Sequence, residues 1–233
     1  MEELNKIPQC IGIIIDGNRR WARAQHLPTF KGHEAGYEKL KDFVLWAKDL
    51  HVAWVVAYVF SVENWKRSSD EVNHLMSLIM LLSKKDFRDL HAKGVRIRIA
   101  GDRSLLTEDV RRALEQVEED TRHNTAITLV LALSYGGRDE IIHAVNMILK
   151  NKESLGEREV TKEEFARYLW THDMPDPDII IRTSGEMRLS NFLPWQGTYS
   201  ELFFPDKLWP DFSREDFLLI LKEYNERERR FGK

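Results

Sequence analysis

Short apolar runs separated by helix-length segments pattern the whole chain, and no other feature restricts its fold as much. "CIGIII" (10–15), "AWVVAYVF" (53–60), "VRIRIA" (95–100), "ITLVLAL" (127–133) and "DIIIR" (178–182) are rich in β-branched residues and too short for helices, so each reads as a strand. Helical patterns lie between and beyond them, over roughly 33–50, 70–93, 107–123, 137–151 and 161–170. The third opens with Thr107 as N-cap and with Glu108 and Asp109 in its first turn, where acids meet the positive end of the helix dipole. Strands apolar on both faces need cover on both faces. The alternation therefore predicts an α/β fold: one domain over 1–233, with a central, mainly parallel sheet and helices on both sides. The breaker-rich "HDMPDPD" (172–178) reads as a loop inside that domain, not as a boundary.

Composition limits the partners. With 233 residues and 42% hydrophobic side chains the chain can bury a sizeable core. Its 35 basic and 38 acidic residues leave a formal charge of -3, so no nucleic-acid partner is expected and any anion site must be local. "MEELNKIPQC" lacks the pattern of a signal peptide, and no apolar run approaches the roughly 18 residues of a membrane span, so a cytoplasmic protein is expected. Cys10 is the single cysteine and reads as the buried first residue of a strand, without a chemical role.

One helix departs from the amphipathic norm. From Leu75 to Leu82, Ser77 is the only polar residue, so this stretch is apolar around nearly its whole circumference. Such a helix is either sandwiched between the sheet and a second subunit, or turns one face to a greasy tunnel.

Polar clusters gather where the strands end. "DGNRRWAR" (16–23) places Asp16 at the carboxyl end of the first strand, the usual ligand edge of an open α/β sheet. Gly17 permits a tight turn there, and Arg19, Arg20 and Arg23 offer forks to phosphate oxygens. An acid amid arginines suits a divalent metal bridging to phosphate, and equally a surface turn whose Asp caps a helix. "FSVENWKR" (60–67) follows the second strand; Ser61, Asn64 and Arg67 read either as site residues or as loop and cap chemistry, and Trp65 as packing. "SYGGRDE" (134–140) carries a strand-to-helix turn at Gly136 and Gly137. In "RTSGEMRLSN" (182–191), Arg182, Arg188 and Ser190 can converge on one anion, with Ser184 and Gly185 forming a turn that exposes backbone N–H groups; an ion pair to Glu186 is the competing reading. Glu201, a lone acid amid Tyr199, Leu202, Phe203 and Phe204, needs a partner or a metal.

Taken together, "DGNRRWA", "KGHEAG", "FSVENWKR", "SYGGRDEI", "RTSGEMRLSNFLPWQ" and "YSELFF...LWPDF" resemble the cis-prenyltransferases, the undecaprenyl diphosphate synthase-like family, in order and over nearly the whole chain. The resemblance implies a homodimeric α/β enzyme with a hydrophobic tunnel. It implies extension of an allylic prenyl diphosphate, such as farnesyl diphosphate, with isopentenyl diphosphate units and Mg2+. By position, it makes Asp16 and Asn64 catalytic and gives Gly17, Asn18, Arg19, Arg20, Trp21, His33, Ser61, Trp65 and Arg67 to substrate binding. Arg182, Arg188 and Ser190 become the clamp for isopentenyl diphosphate, and Asp16 and Glu201 the metal-binding acids. Leu75, Leu78, Ile79 and Leu82, with Val59 and Leu131, become candidates for the tunnel wall. "RRFG" at 229–232 is similar to an end that some members contribute across the dimer interface. Thr29 stands where many members have an arginine, leaving Arg19, Arg23 or Lys31 to substitute for it. The resemblance further implies transient contact with the membrane surface and leaves product length and the proton acceptor open. Two rival functions stand beside it. One is a non-catalytic partner subunit of a prenyltransferase complex, which the retained Asp16 opposes; the other is a phosphatase with Asp16 as nucleophile, which Asn18 opposes by standing where the second acid is expected.

Overall fold

The computed structural model describes residues 6–81, 87–151 and 159–227. Its centre is one six-stranded, all-parallel sheet in the order β3-β4-β2-β1-β5-β6. The strands are β1 (Cys10–Ile14), β2 (Trp54–Ser61), β3 (Val95–Ala100), β4 (Ile127–Tyr135), β5 (Ile179–Arg182) and β6 (Glu201–Phe203). The five expected strands are all present. The sixth escaped the sequence reading because three residues carry no periodicity of their own, and β6 exists through its pairing with β5.

The helices are α1 (Asn18–Ala24), α2 (Thr29–Asp49), α3 (Ser69–Leu81), α4 (Phe87–Ala92), α5 (Glu108–Thr121), α6 (Gly137–Lys150), α7 (Lys162–Ala166) and α8 (Arg214–Glu226). The expected helix over 70–93 is described as two pieces, α3 and α4, and residues 82–86 lie outside the described residues. The expected 161–170 helix shrinks to α7, which opens with a capping box between Thr161 and Glu164. Two helices were not read from the sequence. The seven-residue α1 is too short to show a period, and α8 starts at a capping box formed by Ser213 and Asp216.

Alternation along each strand divides the core into two layers. Ile11 and Ile13, Val55 and Ala57, and Leu129, Leu131 and Leu133 face one side, where Phe43, Trp209, Phe212 and Phe217 pack. Cys10, Ile14, Val56, Tyr58, Val130 and Ala132 face the other, with Tyr135, Phe192 and Leu193. Cys10 is fully buried, as expected, and burial pushes its thiol pKa up, away from any nucleophilic use at neutral pH.

Two details position the site. Gly32 on α2 faces α1 so closely that a Cβ there would lie 2.0 Å from the backbone oxygen of Asn18, so the helices meet backbone to backbone only because residue 32 is glycine. The pairing of β2 with β4 shifts register between Tyr58 and Ser61, a bulge that re-aims the end of β2 towards the site.

Candidate active site

Asp16 lies two residues beyond the end of β1, and its backbone is fixed from three sides. Its N–H donates to Thr183 Oγ1 at 3.1 Å, and its carbonyl accepts from Thr183 Oγ1 at 2.7 Å and from Trp209 N at 3.0 Å. Gly17 turns the chain with a φ of 108°, a value that strains any side-chain-bearing residue, and donates its N–H to Asp16 Oδ1 at 2.7 Å. Asp16 Oδ2 accepts from Arg182 Nη2 at 2.9 Å, and Arg20 Nη2 stands 3.4 Å from Oδ1. Burial raises the carboxyl pKa, but the Arg182 hydrogen bond and charge, with Arg20 and the Gly17 N–H, outweigh it and hold Asp16 below its ordinary value. Asp16 is therefore an anion across the neutral range.

Arg182 ends β5 opposite Ile14 of β1, with 5% of its surface exposed. Its Nη1 donates to Arg188 O at 2.7 Å and to Ser190 Oγ at 2.6 Å, and its buried Nε has no partner. A buried guanidinium N–H without an acceptor is costly, and an anion reaching it would remove that cost. The Arg188 side chain sits farther out, 59% exposed, with Nη1 on Glu186 Oε2 at 2.5 Å; Arg20 Nη1 reaches Glu186 Oε1 at 3.2 Å. The ion-pair reading thus holds for Arg188, while Arg182 pairs with Asp16. The expected turn at Ser184 and Gly185 forms but does not expose its N–H groups: they donate to Lys207 O at 2.7 Å and Pro205 O at 3.0 Å, because the 205–207 segment folds back over them. Ser190 and Asn191 hold left-handed φ values of 49° and 67°, a strain offset by bonds from Gly137 N to Asn191 O and from Arg138 N to Asn191 Oδ1, both 2.8 Å. Behind them, fully buried Glu140 accepts from Tyr135 Oη at 2.6 Å, Thr171 Oγ1 at 2.9 Å and Gln196 Nε2 at 3.0 Å, locking the 134–140 and 190–197 segments together.

A second cationic group faces the first. His33 Nε2 lies 3.1 Å from Glu71 Oε1, Arg67 Nη1 donates to the same oxygen at 3.0 Å, and Arg19 Nη1 is 4.0 Å from Oε2. Burial lowers the His33 pKa against the opposing pull of Glu71, so the imidazole is neutral at pH 7. Glu71 and Thr183 were missed in the sequence. The signal for Glu71 was its place four residues after Arg67, one helical turn away. Asn64 caps the end of β2: its Oδ1 accepts Ser61 N at 3.1 Å.

These groups ring the head of a cavity of about 810 Å3. Asp16, Gly17, Asn18, Arg19, Arg20, Arg23, His33, Ser61, Asn64, Arg67, Arg182 and Ser190 all line it, and its depth is apolar, with Leu40, Val59, Leu75, Leu78 and Ile79. A small apolar chamber of about 30 Å3 lies behind Val59 and Ile79, and Leu131 is part of its far wall. Helix α3 thus packs Met76 and Met80 on the core and turns Leu75, Leu78 and Ile79 to the cavity; Leu82 lies outside the described residues. Arg19 and Arg23 line the head, whereas Lys31 is drawn off to Glu34 Oε2 at 2.6 Å. They are the cations available where Thr29 supplies none.

Four expected residues are not brought into this head, Arg188 among them because its side chain is turned outward onto Glu186. The Trp21 ring N–H donates to Asp211 Oδ1 at 2.7 Å, and that of Trp65 to Ser134 Oγ at 2.6 Å with its ring against Phe60, so both indoles serve packing. Glu201 starts β6 in register with Ile179, at the opposite edge of the sheet from Arg182, because parallel strands keep all their starts on one side. Its partner is Arg227, at 2.8 Å, so one chain does not join it to Asp16 in a metal site. Residues 229–232 lie outside the described residues.

A sheet edge carrying Asp16 and other carboxylates among arginines, opening into an apolar cavity, fits molecules with an anionic head and a hydrocarbon tail. Comparison with known proteins names the family. Residues 14–232 match the prenyltransferase family described as undecaprenyl diphosphate synthase. The chain is 48% identical to an isoprenyl transferase of Thermotoga maritima, over 97% of each protein, and 45% identical to one of Rhizobium meliloti, over 100% of this chain and 96% of that one. Among solved structures, lavandulyl diphosphate synthase from Lavandula x intermedia in complex with dimethylallyl diphosphate superposes with a TM-score of 0.93 at 32% identity, covering 97% of this chain and 99% of that one. A probable undecaprenyl diphosphate synthase from Campylobacter jejuni gives 0.81 at 31% identity, with both chains covered fully (100%). The chain belongs to the undecaprenyl diphosphate synthase family and is a prenyl-transferring enzyme.

Proposed function

We propose that the enzyme condenses isopentenyl diphosphate units onto an allylic prenyl diphosphate, with Mg2+, to give a cis-polyprenyl diphosphate. The direct bond between Asp16 and Arg182 carries this reading. It ties the acid to the Arg182–Ser190 pair on one side, while Arg19, Arg20, Arg23 and His33 stand on the other, so two diphosphates would share one carboxylate.

Magnesium usually keeps one or two carboxylates and takes its remaining oxygens from phosphate and water. Among the described residues no cluster of three acids, histidines or cysteines forms a cage, but Asp16 faces the cavity and a carboxylate keeps lone pairs beyond the two donors it already accepts. The residues therefore fit a magnesium held by Asp16 and substrate phosphates; when bound, it neutralises charge on the leaving diphosphate. The chain's own part is to fix both substrates. Arg19, Arg20 and Arg23 hold the allylic diphosphate, and Arg182, Arg188 and Ser190 hold the incoming one. As the allylic C–O bond breaks, these preset cations meet the growing negative charge without reorganising. The new C–C bond forms at the cavity head beside Ser61 and Asn64, the isopentenyl unit gives up a proton to an oxygen of the departing diphosphate, and the tail extends between α2, α3 and β2.

The reading is tested by incubating purified protein with Mg2+, farnesyl diphosphate and labelled isopentenyl diphosphate; no extractable lipid product with any allylic primer would refute it. Arg188→Ala should raise KM for isopentenyl diphosphate about tenfold and leave that for the primer nearly unchanged, since one exposed charge-assisted contact is worth roughly 1.4 kcal/mol. Equal changes in both constants would remove Arg188 from the clamp. Val59→Ala should join the small chamber to the cavity and shift products to longer chains, read by mass spectrometry; an unchanged distribution would take the chamber off the product's path. The non-catalytic partner reading is not favoured, because Asp16 is present and held ionised.

The homodimer is supported by α6. Ile142, Val145 and Leu149 form an exposed apolar stripe on its outer face, 60%, 39% and 61% exposed. Ile142→Glu with Leu149→Glu should convert a dimer to a monomer in sedimentation velocity. Transient membrane contact is supported by exposed Leu27, Phe30 and Leu81; Leu27 and Leu81 line a cleft that shares Tyr37 and Leu78 with the main cavity. No described helix is long and apolar enough to cross a membrane.

A further inference from the structure

The carboxyl edge of the sheet has a second crevice, of about 320 Å3, on the α6 side near β3. Arg98 and Arg103 reach it from the end of β3, His143 from α6, and Arg167, Trp170 and His172 from the segment after α7; among the described residues no acid lines it. Its cations are only partly neutralised. Arg98 pairs with Asp173, and Arg103 Nη1 lies 2.7 Å from Glu118, but Arg167 is exposed and has no ion pair among the described residues. Burial, and then the charge of Arg96, lowers the Arg98 pKa against the opposing pull of Glu118. One wall is aromatic: the rings of His143 and Trp170 lie 5.1 Å apart, tilted by 35°, beside the apolar Ile99, Met147 and Leu169. His172 Nδ1 donates to Leu169 O at 3.1 Å, which fixes the ring and leaves Nε2 for a ligand.

The crevice also touches the active site through two hydrogen bonds. Gly101, in its wall, is followed by Asp102, whose N–H donates to Ser134 O at 3.1 Å. Ser134 Oγ accepts the Trp65 indole at 2.6 Å, and Trp65 belongs to the 62–66 turn that carries Asn64.

We propose that this crevice is a second ligand site, for a compact phosphate ester bearing a planar ring, of mononucleotide size, and that its occupation adjusts the Asn64 turn. The volume is at the small end for ligand pockets, guanidinium groups suit phosphate, and the aromatic wall suits a ring. The site owes nothing to the prenyl chemistry assigned above, so it stands or falls separately.

The test titrates the whole enzyme with adenosine monophosphate, with inorganic phosphate as the ringless control, following the histidine ring signals by NMR. Saturable shifts of the His143 and His172 signals are expected, with affinity at least about tenfold tighter for the nucleotide than for phosphate. Arg167→Ala, an exposed change that leaves prenyl transfer intact without nucleotide, should weaken binding about tenfold, and Arg188→Ala should leave it within about twofold. Saturating nucleotide should also change the KM of the allylic primer about fivefold, the lower range of measured couplings. Unmoved His143 and His172 signals, or shifts abolished by Arg188→Ala and kept by Arg167→Ala, overturn the site; binding with unchanged primer KM overturns its coupling to the turn.

Discussion

Asp16→Ala should lower kcat for prenyl transfer by about a thousandfold while the protein stays folded. Removing one preset group that meets developing charge costs on the order of a hundred- to a thousandfold, and Asp16 both orders Arg182 and offers the carboxylate that fits magnesium. Folding should survive because the backbone bonds at residue 16 run through its N–H and carbonyl, to Thr183 and Trp209, and do not use the carboxylate. Circular dichroism and single-turnover rates separate the two claims. Near-normal turnover would remove Asp16 from the chemistry.

Arg182→Met should be damaging twice over. The side chain is buried and serves Asp16, Arg188 O and Ser190 Oγ at once, so its loss strands a carboxylate and a carbonyl. Breaking such a pair costs on the order of 3 kcal/mol of stability, somewhat less here because Asp16 keeps partial solvent access. Turnover should fall at least about a hundredfold, since the clamp and the acid lose their common anchor. The pH dependence carries a sign. Asp16 has a depressed folded-state pKa, so its ionised form adds stability above the unfolded value of about 3.9, and that stability is lost as pH falls through the folded value. In urea titrations the gap between wild type and Arg182→Met should therefore be full at neutral pH and narrow below about pH 4. A gap independent of pH would show that the cost lies in packing alone.

Much of the fold was legible because fully buried parallel strands are written as unbroken apolar runs; β4 is buried at every position from Ile127 to Tyr135. Where an element depends on a neighbour, that legibility ends. β6 is a strand only because β5 lies beside it, and α1 is too short for periodicity to show. At the site, residues that follow strand ends were recognisable by type and place, and Asp16, Arg182, Ser190, Ser61 and Asn64 do meet at one cavity.

The order of residues along the chain determined which groups stand at strand ends, because strand length and polarity are local properties. Only the tertiary structure decided which of them touch. It set Arg182 on Asp16 and Arg188 on Glu186, turned both indoles of Trp21 and Trp65 into packing, and sent Glu201 to the far edge with Arg227. Sheet order and parallel register fix those distances, and both arise from packing between segments far apart in sequence. A motif read along one line cannot contain them.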